Sequence, residues 1–329
     1  MKSKYFQYSH LLLLFIFLMA ACKDDDYSIP DAGTALQNDC IKRSLGPNMV
    51  GLKIEFAYAM ALPKTKGNLV SAQVEASIAG ASTTYLENNS YYTNGSGVDV
   101  AVPIGLPSVN DGAVTTVTFN VDTSAATLRY YYVVPEAARG KTVSFTFSAK
   151  SSDGAIVSYK MGPYDVPKMD YKLNMVVTDG ANCYVSIADM AVYDQADAAL
   201  NADKIDLVYL YRSLTPLIFE HALVAPAADA QYRPGVTLPS GVNKNTKVLK
   251  VYGLQDRDLS NLQYNEYVDD LDFQQLDLST AANFAINLKV EAGVWVETAD
   301  GKYRAYIFVN SVSAGTTKQM TISMKRYLL

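Results

Sequence analysis

The sequence predicts an all-β fold of two antiparallel β-sandwich domains, the second with short helical insertions. The chain has 329 residues, more than the roughly 100–200 residues of one ordinary domain. Apolar residues repeat with a period of two, as in the run 50–60, which is typical of half-buried strands. Turn pairs such as Asn94-Gly95 and Asp153-Gly154 separate these runs without an amphipathic helix, which favours antiparallel sheets.

The N-terminus has the pattern of a secretory signal peptide over residues 1–21. Lys2 and Lys4 precede the apolar run 11–19, and the small residues Ala20 and Ala21 follow it. This run is too short to span a bilayer, because a membrane-spanning helix needs about 20 residues. We therefore expect the segment to be removed and the rest of the chain to be extracytoplasmic.

Cys22 follows directly, and residues 18–22 resemble a bacterial lipobox. The resemblance implies cleavage before Cys22, lipidation of its thiol and acylation of the new amino terminus, which together anchor a protein durably. The next four residues are Lys23, Asp24, Asp25 and Asp26. This acidic run resembles the surface-export signal of Bacteroidetes lipoproteins. The alternatives are an ordinary signal peptide with an incidental cysteine, and charges that only solvate a tether.

Residues 22–44 are predicted to be the lipidated N-terminus and a flexible tether, because they are mostly polar and show no hydrophobic period. The first sandwich domain is predicted over 45–166. Its expected strands are 50–60, 70–78, 98–102, 114–121, 128–134, 143–147 and 156–161. About seven short strands separated by turns indicate a sandwich of immunoglobulin-like size.

Gly162, Pro163 and Pro167 interrupt the strand pattern, so the second sandwich domain is predicted over 167–329. Its expected strands are 171–177, 183–187, 205–211, 217–222, 247–252, 286–290, 294–297, 303–312 and 320–327. The stretches 193–200 and 258–273 lack the strand period and are expected to hold short helices or turns. Residues 224–245 contain several prolines and glycines and predict a long surface loop.

Composition argues against several function classes. The net charge is −5, with no basic block, so nucleic acid is not an expected partner. The chain has two histidines, and His10 lies in the predicted signal peptide. His221 lies in a predicted strand whose neighbour Glu220 must face the opposite side, so the two make a poor catalytic pair. With no nucleophile motif either, we expect a protein that is not an enzyme and has no cofactor.

An acidic group near residue 260 leaves alternatives open. Its members are Asp256, Asp258, Asp269, Asp270 and Asp272. Paired carboxylates can hydrolyse glycosides or bind calcium, but the group lacks the EF-hand pattern. We therefore expect a solvated acidic face and no metal site.

Aromatic residues are the remaining candidates for ligand binding. Tyr91 and Tyr92 lie in a polar segment that resembles an exposed loop, and Trp295 lies beside a turn. Exposed rings on a rigid sandwich can stack on the C–H faces of sugars, so these three are the predicted stacking residues. Three consecutive tyrosines, 130–132, must alternate between the faces of a strand. Core packing is the alternative for each of these aromatic residues.

Cys40 and Cys183 remain after lipidation takes Cys22, in a compartment that permits disulfides. A bridge between them would hold the end of the tether against the second domain. Two buried free thiols are the equal alternative.

The lipobox, the acidic run and the β-domains together resemble the surface lipoproteins of Bacteroidetes nutrient-uptake systems, including glycan-binding proteins of the starch-utilisation type. The stretches 300–309 and 321–327 together also resemble the last hairpin of uncharacterised lipoproteins from that group. The resemblance implies a protein anchored in the outer membrane by its N-terminal lipid and facing the cell exterior. A glycan ligand and an outer-membrane transporter complex are the implied partners. The resemblance does not identify any residue that contacts a sugar.

A fimbrillin-like structural or adhesive protein is the alternative function. Fimbrillins are also lipoprotein precursors of two β-sandwiches, and they assemble by strand exchange after proteolysis near the N-terminus. Cleavage after Lys42 or Arg43 would suit such a scheme.

Overall fold

The computed structural model describes residues 33–213, 218–260 and 266–329. The predicted signal peptide, Cys22 and residues 23–26 lie outside the described residues. Residues 36–329 form one compact unit built almost entirely of antiparallel strands, which confirms the predicted fold class. In the described part of the chain, no helix has the length and apolar character needed to cross a membrane.

The first sandwich consists of two antiparallel sheets. Its strands are β1 (Gln37–Lys42), β2 (Lys53–Ala61), β3 (Leu69–Ala76), β4 (Tyr85–Leu86), β5 (Asn89–Thr93), β6 (Asp99–Pro103), β7 (Val109–Asp111), β8 (Val114–Thr118), β9 (Ala125–Val133), β10 (Thr142–Ser151) and β11 (Ile156–Asp165). Sheet 1 has the order β1-β2-β9-β4, and sheet 2 has the order β11-β10-β3-β8-β7. Strands β5 and β6 form a separate hairpin. Short 3₁₀ turns occupy Lys64–Lys66 and Glu136–Ala138.

The core of this sandwich follows from the period of two. In β2 the side chains of Ile54, Phe56, Tyr58 and Met60 are buried, and the residues between them face outward. The core is rich in aromatic rings, with Phe56 in edge contact with Phe145 at 4.9 Å between centroids. Each such side chain contributes about 1.5–3 kcal/mol when fully buried.

The predicted tether is too long at its C-terminal end. Residues 37–42 are strand β1, which pairs antiparallel with β2 along its whole length. Only Cys40 of this strand is buried. A strand with one inward apolar side chain carries too short a pattern for the period to be visible in the sequence.

The second sandwich also consists of two sheets. Its strands are β12 (Met169–Thr178), β13 (Tyr184–Ser186), β14 (Ala191–Tyr193), β15 (Leu207–Ser213), β16 (Ile218–Val224), β17 (Lys247–Tyr252), β18 (Phe284–Leu288), β19 (Ala292–Glu297), β20 (Tyr303–Ala314) and β21 (Lys318–Leu328). Sheet 3 has the order β12-β21-β20-β19-β17, and sheet 4 has the order β14-β13-β15-β16-β18. Apolar side chains from both sheets form one core between them.

Short helices interrupt these strands, as the sequence predicts. They are α1 (Gln195–Leu200), α2 (Arg257–Ser260) and α3 (Asp270–Gln275), with 3₁₀ turns at Ala202–Lys204 and Ala230–Tyr232. Asp194 caps α1 by accepting a hydrogen bond from the Asp197 backbone N–H, and Asp269 caps α3 in a capping box with Asp272.

A segment that we call the cap segment, residues 253–260 and 266–283, covers part of sheet 3. Phe273 and Leu259 of this segment pack with Trp295 and Tyr306 in a third apolar cluster. The cluster also contains Met49, which precedes β2, so it joins the two sandwiches.

A buried ion network fixes the cap segment to the last strand. Lys325 of β21 is fully buried, and its Nζ lies 2.6 Å from Oδ2 of Asp256 and 2.8 Å from Oδ2 of Asp258. Nζ also donates a hydrogen bond to the Val268 carbonyl at 2.9 Å. The Asp256 carboxylate in turn accepts hydrogen bonds from the backbone N–H groups of Leu259 and Val268. The three contacts of Lys325 hold Asp256, Asp258 and Val268 against β21.

A second ion network joins the two sandwiches. Arg139, which follows the turn after β9, pairs with Oδ1 of Asp170 at 2.7 Å and with Glu136. Asp170 of β12 also pairs with Arg326 of β21. The guanidinium of Arg139 therefore bridges a loop of the first sandwich and a strand of the second.

Candidate functional site

The outer face of sheet 1 carries an aromatic surface, and strand β9 positions it. Tyr130 and Tyr132 point into the core and are buried, whereas Tyr131 lies on the opposite face and is half-buried. Successive side chains of a strand alternate between its faces, so this arrangement is a direct consequence of the strand geometry.

Tyr85 of β4 lies directly opposite Tyr131 in the register of the two strands. Their rings stack with centroids 4.9 Å apart and an interplanar angle of 24°. The ammonium group of Lys53 lies over both rings, 5.1 Å from the Tyr131 centroid and 5.9 Å from the Tyr85 centroid. The pair is thus held rigid at the surface, and Tyr85 is 36% exposed.

Tyr91 of β5 extends this surface. Its ring lies against the guanidinium of Arg129, with Cζ 3.7 Å from the ring centroid. Its hydroxyl donates a hydrogen bond to the Glu87 carboxylate, and Arg129 forms an ion pair with Asp99 of β6. We call Tyr85, Tyr91 and Tyr131 the tyrosine platform.

A shallow groove lies on the same face of sheet 1. It is a cavity of about 330 Å³ lined by the small side chains of Ala59, Ala61, Ala125 and Thr127, with β1 at one side. From Glu55, which lies opposite Tyr131, to Ala61 the strand β2 rises roughly 20 Å at about 3.4 Å per residue. Arg129 and Ala57 lie between the platform and this groove.

The platform has neutral rings and a small excess of acidic groups. Arg129 pairs with Asp99 and Lys53 lies over the rings, whereas the carboxylates of Glu55 and Glu87 lie near Tyr85 and Tyr131. Burial, and then the hydrogen bond with Glu87, raises the pKa of Tyr91 to about 12. Burial, followed by nearby carboxylates, also raises the pKa of both Tyr85 and Tyr131. The phenols are therefore un-ionised at neutral pH, and the site suits a neutral, hydroxyl-rich ligand that can stack on rings and bond to charged groups.

The structure separates the three predicted stacking residues. Tyr91 belongs to the platform, and Tyr92, on the opposite face of the β5–β6 hairpin, is 56% exposed. Trp295 was expected at the surface, and this is wrong. It is 6% exposed because the cap segment covers β19, and its ring is packed between Phe273 and Tyr306.

Of the two alternatives for Cys40 and Cys183, a disulfide or two buried free thiols, the structure shows the second. Both thiols are free and buried, and they belong to the cores of different sandwiches. Burial, with a smaller contribution from Asp39, raises the pKa of Cys40 to about 12. Each cysteine acts as a small apolar core residue.

His221 is buried, and its Nδ1 lies 2.8 Å from the Tyr209 hydroxyl. The acidic group has internal partners: Asp256 and Asp258 pair with Lys325, and Asp269 and Asp272 cap α3. Among the described residues, no three His, Cys, Asp or Glu side chains are placed to hold a metal ion.

Sequence reasoning missed Tyr85, Lys53 and Arg129 as members of the surface. The alternation within 130–132 was a usable signal for Tyr131, because it requires one of the three tyrosines to face away from its neighbours. No comparable signal existed for Tyr85, since its position depends on how β4 pairs with β9.

Comparison with protein families gives two adjoining matches. Residues 33–166 match a domain of unknown function, DUF4466, and residues 167–329 match a second domain of unknown function, DUF8576. The chain is also similar to a DUF4466 family protein from Parabacteroides merdae whose crystal structure is known. The two are 51% identical, with a TM-score of 0.84, over 90% of this chain and 99% of that one.

More distant structures share little with the chain. The major pilin BcpA of Bacillus cereus and a C-terminal fragment of the major pilin GBS80 of Streptococcus agalactiae are each 8% identical to it, with TM-scores of 0.29. The matches cover 87% of this chain in both cases, and 66% and 91% of the two pilins. Similarity at this level carries no argument about function. No curated protein matches the chain.

Proposed function

Because the chain belongs to the DUF4466 family, a family of unknown function with a close relative in Parabacteroides, we propose that it is a non-catalytic Bacteroidetes surface lipoprotein that binds a glycan. The observation that carries the proposal is the tyrosine platform. A stacked, rigidly held pair of tyrosines at a sheet surface, flanked by charged hydrogen-bonding groups, supplies what a sugar ring requires from a protein.

The groove supports an elongated ligand. Small side chains on β2 and β9 form this groove on the same sheet face, about 20 Å along β2 from the rings, so a long chain stacked on Tyr131 can reach it past Arg129. The excess of acidic groups favours a neutral polysaccharide, because an acidic one would meet the carboxylates of Glu55, Glu87 and Asp99.

The proposed location is the outer face of the outer membrane. Lipidation at Cys22 supplies the anchor, and the acidic residues 23–26 supply the export signal. A glycan-binding protein held at this place would work with an outer-membrane transporter, which is the proposed partner.

Affinity electrophoresis tests the binding proposal. The soluble form, which begins after Cys22, is run through native gels containing soluble starch, dextran, xylan or pectin. We expect retardation by at least one neutral polysaccharide. The double variant Tyr85→Ala, Tyr131→Ala should lose about 5- to 150-fold in affinity, because two stacking rings contribute about 1–3 kcal/mol together.

Tyr252→Ala provides the matched control. Tyr252 is 57% exposed on the second sandwich, away from the platform, so its loss should leave retardation unchanged. Unaltered migration of the wild-type protein in every gel, or equal retardation of the platform variant, would contradict the proposal.

Strand β1 supports a fimbrillin-like structural or adhesive protein as the second candidate. It is an edge strand that pairs with β2 alone and ends at Lys42. Cleavage after Lys42 or Arg43 would remove β1, expose the edge of β2 and leave the core position of Cys40 empty. A strand from a second copy could then pair with β2.

Limited trypsin digestion followed by size-exclusion chromatography distinguishes the two candidates. Ladders of oligomers that form only after cleavage, and not in a Lys42→Gln, Arg43→Gln control, would support assembly. A monomer that remains retarded by polysaccharide would support the glycan-binding proposal.

A further inference from the structure

The second sandwich contains a pocket that the tyrosine platform does not include. Its volume is about 240 Å³, and it lies between the turn after β12, at Asp179 and Gly180, and the loop at 235–237. Cys183, Tyr184 and Tyr209 are buried side chains that also line it. We call it the Asp179–Arg212 pocket.

An ion pair holds the two sides of this pocket together. Nη1 of Arg212 lies 2.6 Å from Oδ2 of Asp179 on one side, and Nε donates a hydrogen bond to the Pro234 carbonyl at 2.7 Å on the other. Asp179 is fixed from behind, because its backbone N–H donates to the Lys318 carbonyl at 3.0 Å. The side chains of Asp179 and Arg212 are 19% and 18% exposed, so the pair is largely shielded but reachable. The pocket is thus preorganised.

Several polar groups at the pocket have no partner within the described part of the chain. These are Oδ1 of Asp179, Nη2 of Arg212 and the side-chain amide of Gln195. The first is an acceptor, the second a donor, and the amide supplies both kinds of group. A ligand with several hydroxyl groups can bond to all three.

The charges select a neutral ligand. Asp179 and Arg212 neutralise each other at 2.6 Å, so neither an anion nor a cation meets a net opposite charge. A zwitterion such as an amino acid needs two separate groups of opposite charge. Here Asp179 and Arg212 already pair with each other. The planar carboxylate and guanidinium groups lie side by side and match adjacent hydroxyls of a sugar ring, and Gln195 lines the same pocket.

We propose that the Asp179–Arg212 pocket binds a single neutral sugar ring, either a free monosaccharide or the terminal unit of a longer glycan. This second site stands on its own geometry and does not depend on the tyrosine platform. Asp179 accepts from one hydroxyl, Arg212 Nη2 donates to a neighbouring one, and Gln195 bonds to a third.

Saturation-transfer NMR on the soluble form, which begins after Cys22, tests this proposal. The probes are glucose, galactose, mannose and N-acetylglucosamine at up to about 20 mM, since single sugars bind with millimolar affinity in such small sites. Glycine is the zwitterionic competitor. We expect at least one sugar to receive saturation and glycine not to displace it.

Two variants locate the binding. Ala181→Phe places a ring at the exposed turn that lines the pocket and should abolish the signal, whereas Gln195→Ala should weaken affinity about fivefold through the loss of one hydrogen bond. Ala137→Phe, at an exposed turn of the first sandwich, is the matched control and should bind as the wild type does. Because Ala181 and Gln195 are both exposed, neither change should disturb folding.

The double variant Tyr85→Ala, Tyr131→Ala separates the two sites. It should keep the monosaccharide signal, even if polysaccharide binding at the platform is lost or was never present. Absence of saturation for all four sugars, an unchanged signal in Ala181→Phe, or displacement by glycine would each overturn the proposal.

Discussion

Replacement of Lys325 by Met is expected to destabilise the protein strongly. The substitution keeps the length and volume of the side chain but removes the ammonium group that faces Asp256 and Asp258. Asp256 is fully buried and would lose the only opposite charge that pairs with it among the described residues, keeping only its backbone hydrogen bonds. Breaking a buried ion pair by removing one partner costs about 3–5 kcal/mol.

The assay is thermal and urea unfolding of the soluble protein at pH 7. With about 2–4 °C per kcal/mol for a domain of this size, the loss corresponds to roughly 6–20 °C in Tm. Lys289→Met, at an exposed lysine in the same sandwich, is the matched control and should change Tm little. Lys325→Met, Asp256→Asn should be more stable than Lys325→Met alone, because the asparagine carries no charge and can still accept one of the two backbone hydrogen bonds through its carbonyl oxygen.

The loss should also depend on pH. Burial raises the pKa of Asp256, and Lys325 opposes that rise, so the pKa rises further in Lys325→Met. A carboxyl group whose pKa is higher in the folded protein than in the unfolded chain destabilises the fold as pH rises toward and through the folded-state pKa. It has no such effect at a pH below its pKa in the unfolded chain, which is about 3.9. The difference in stability between wild type and variant should therefore shrink from pH 7 to pH 5. A loss under 1 kcal/mol, or a difference that grows toward acid pH, would refute the reasoning.

Three further predictions concern the thiols, the junction and the anchor. Cys40 and Cys183 should not react with an alkylating reagent in the folded protein, because burial raises the pKa of the Cys40 thiol to about 12 and that of the Cys183 thiol to about 11. Mass spectrometry should show two added groups only after denaturation. Arg139→Ala should lower the free energy of unfolding by about 1 kcal/mol, since its partly exposed ion pair with Asp170 is screened by solvent, and urea unfolding measures this. Cys22→Ser should release the protein from the membrane fraction in high salt, as immunoblotting of the fractions would show.

The fold class could be predicted because each inward-facing residue leaves a mark on the sequence. In β2, buried Ile54, Phe56, Tyr58 and Met60 alternate with outward residues, and the period of two is unmistakable. In β1 only Cys40 is buried, so the sequence of this strand has the pattern of a polar tether. A pattern of one residue cannot define a period.

The error at Trp295 has a different cause. Residues 294–297 were correctly predicted as a strand, but both faces of β19 are covered: the core of the second sandwich covers one face, and the cap segment covers the other. The pairing of Lys325 with Asp256, 69 positions apart, holds the cap segment in place. Sequence periodicity describes one strand at a time and contains no record of a segment that folds back over it.

The tyrosine platform shows the same limit at a binding surface. Alternation along 130–132 places Tyr131 on the outer face, and this follows from local geometry alone. The stacked pair exists only because β4 pairs with β9 in the register that sets Tyr85 opposite Tyr131. A shift of one residue would turn Tyr85 toward the core and Leu86 toward solvent, so the hydrophobic pattern of β4 fixes the register and thereby the aromatic surface. Burial of Leu86 thus determines where the candidate ligand-binding ring lies.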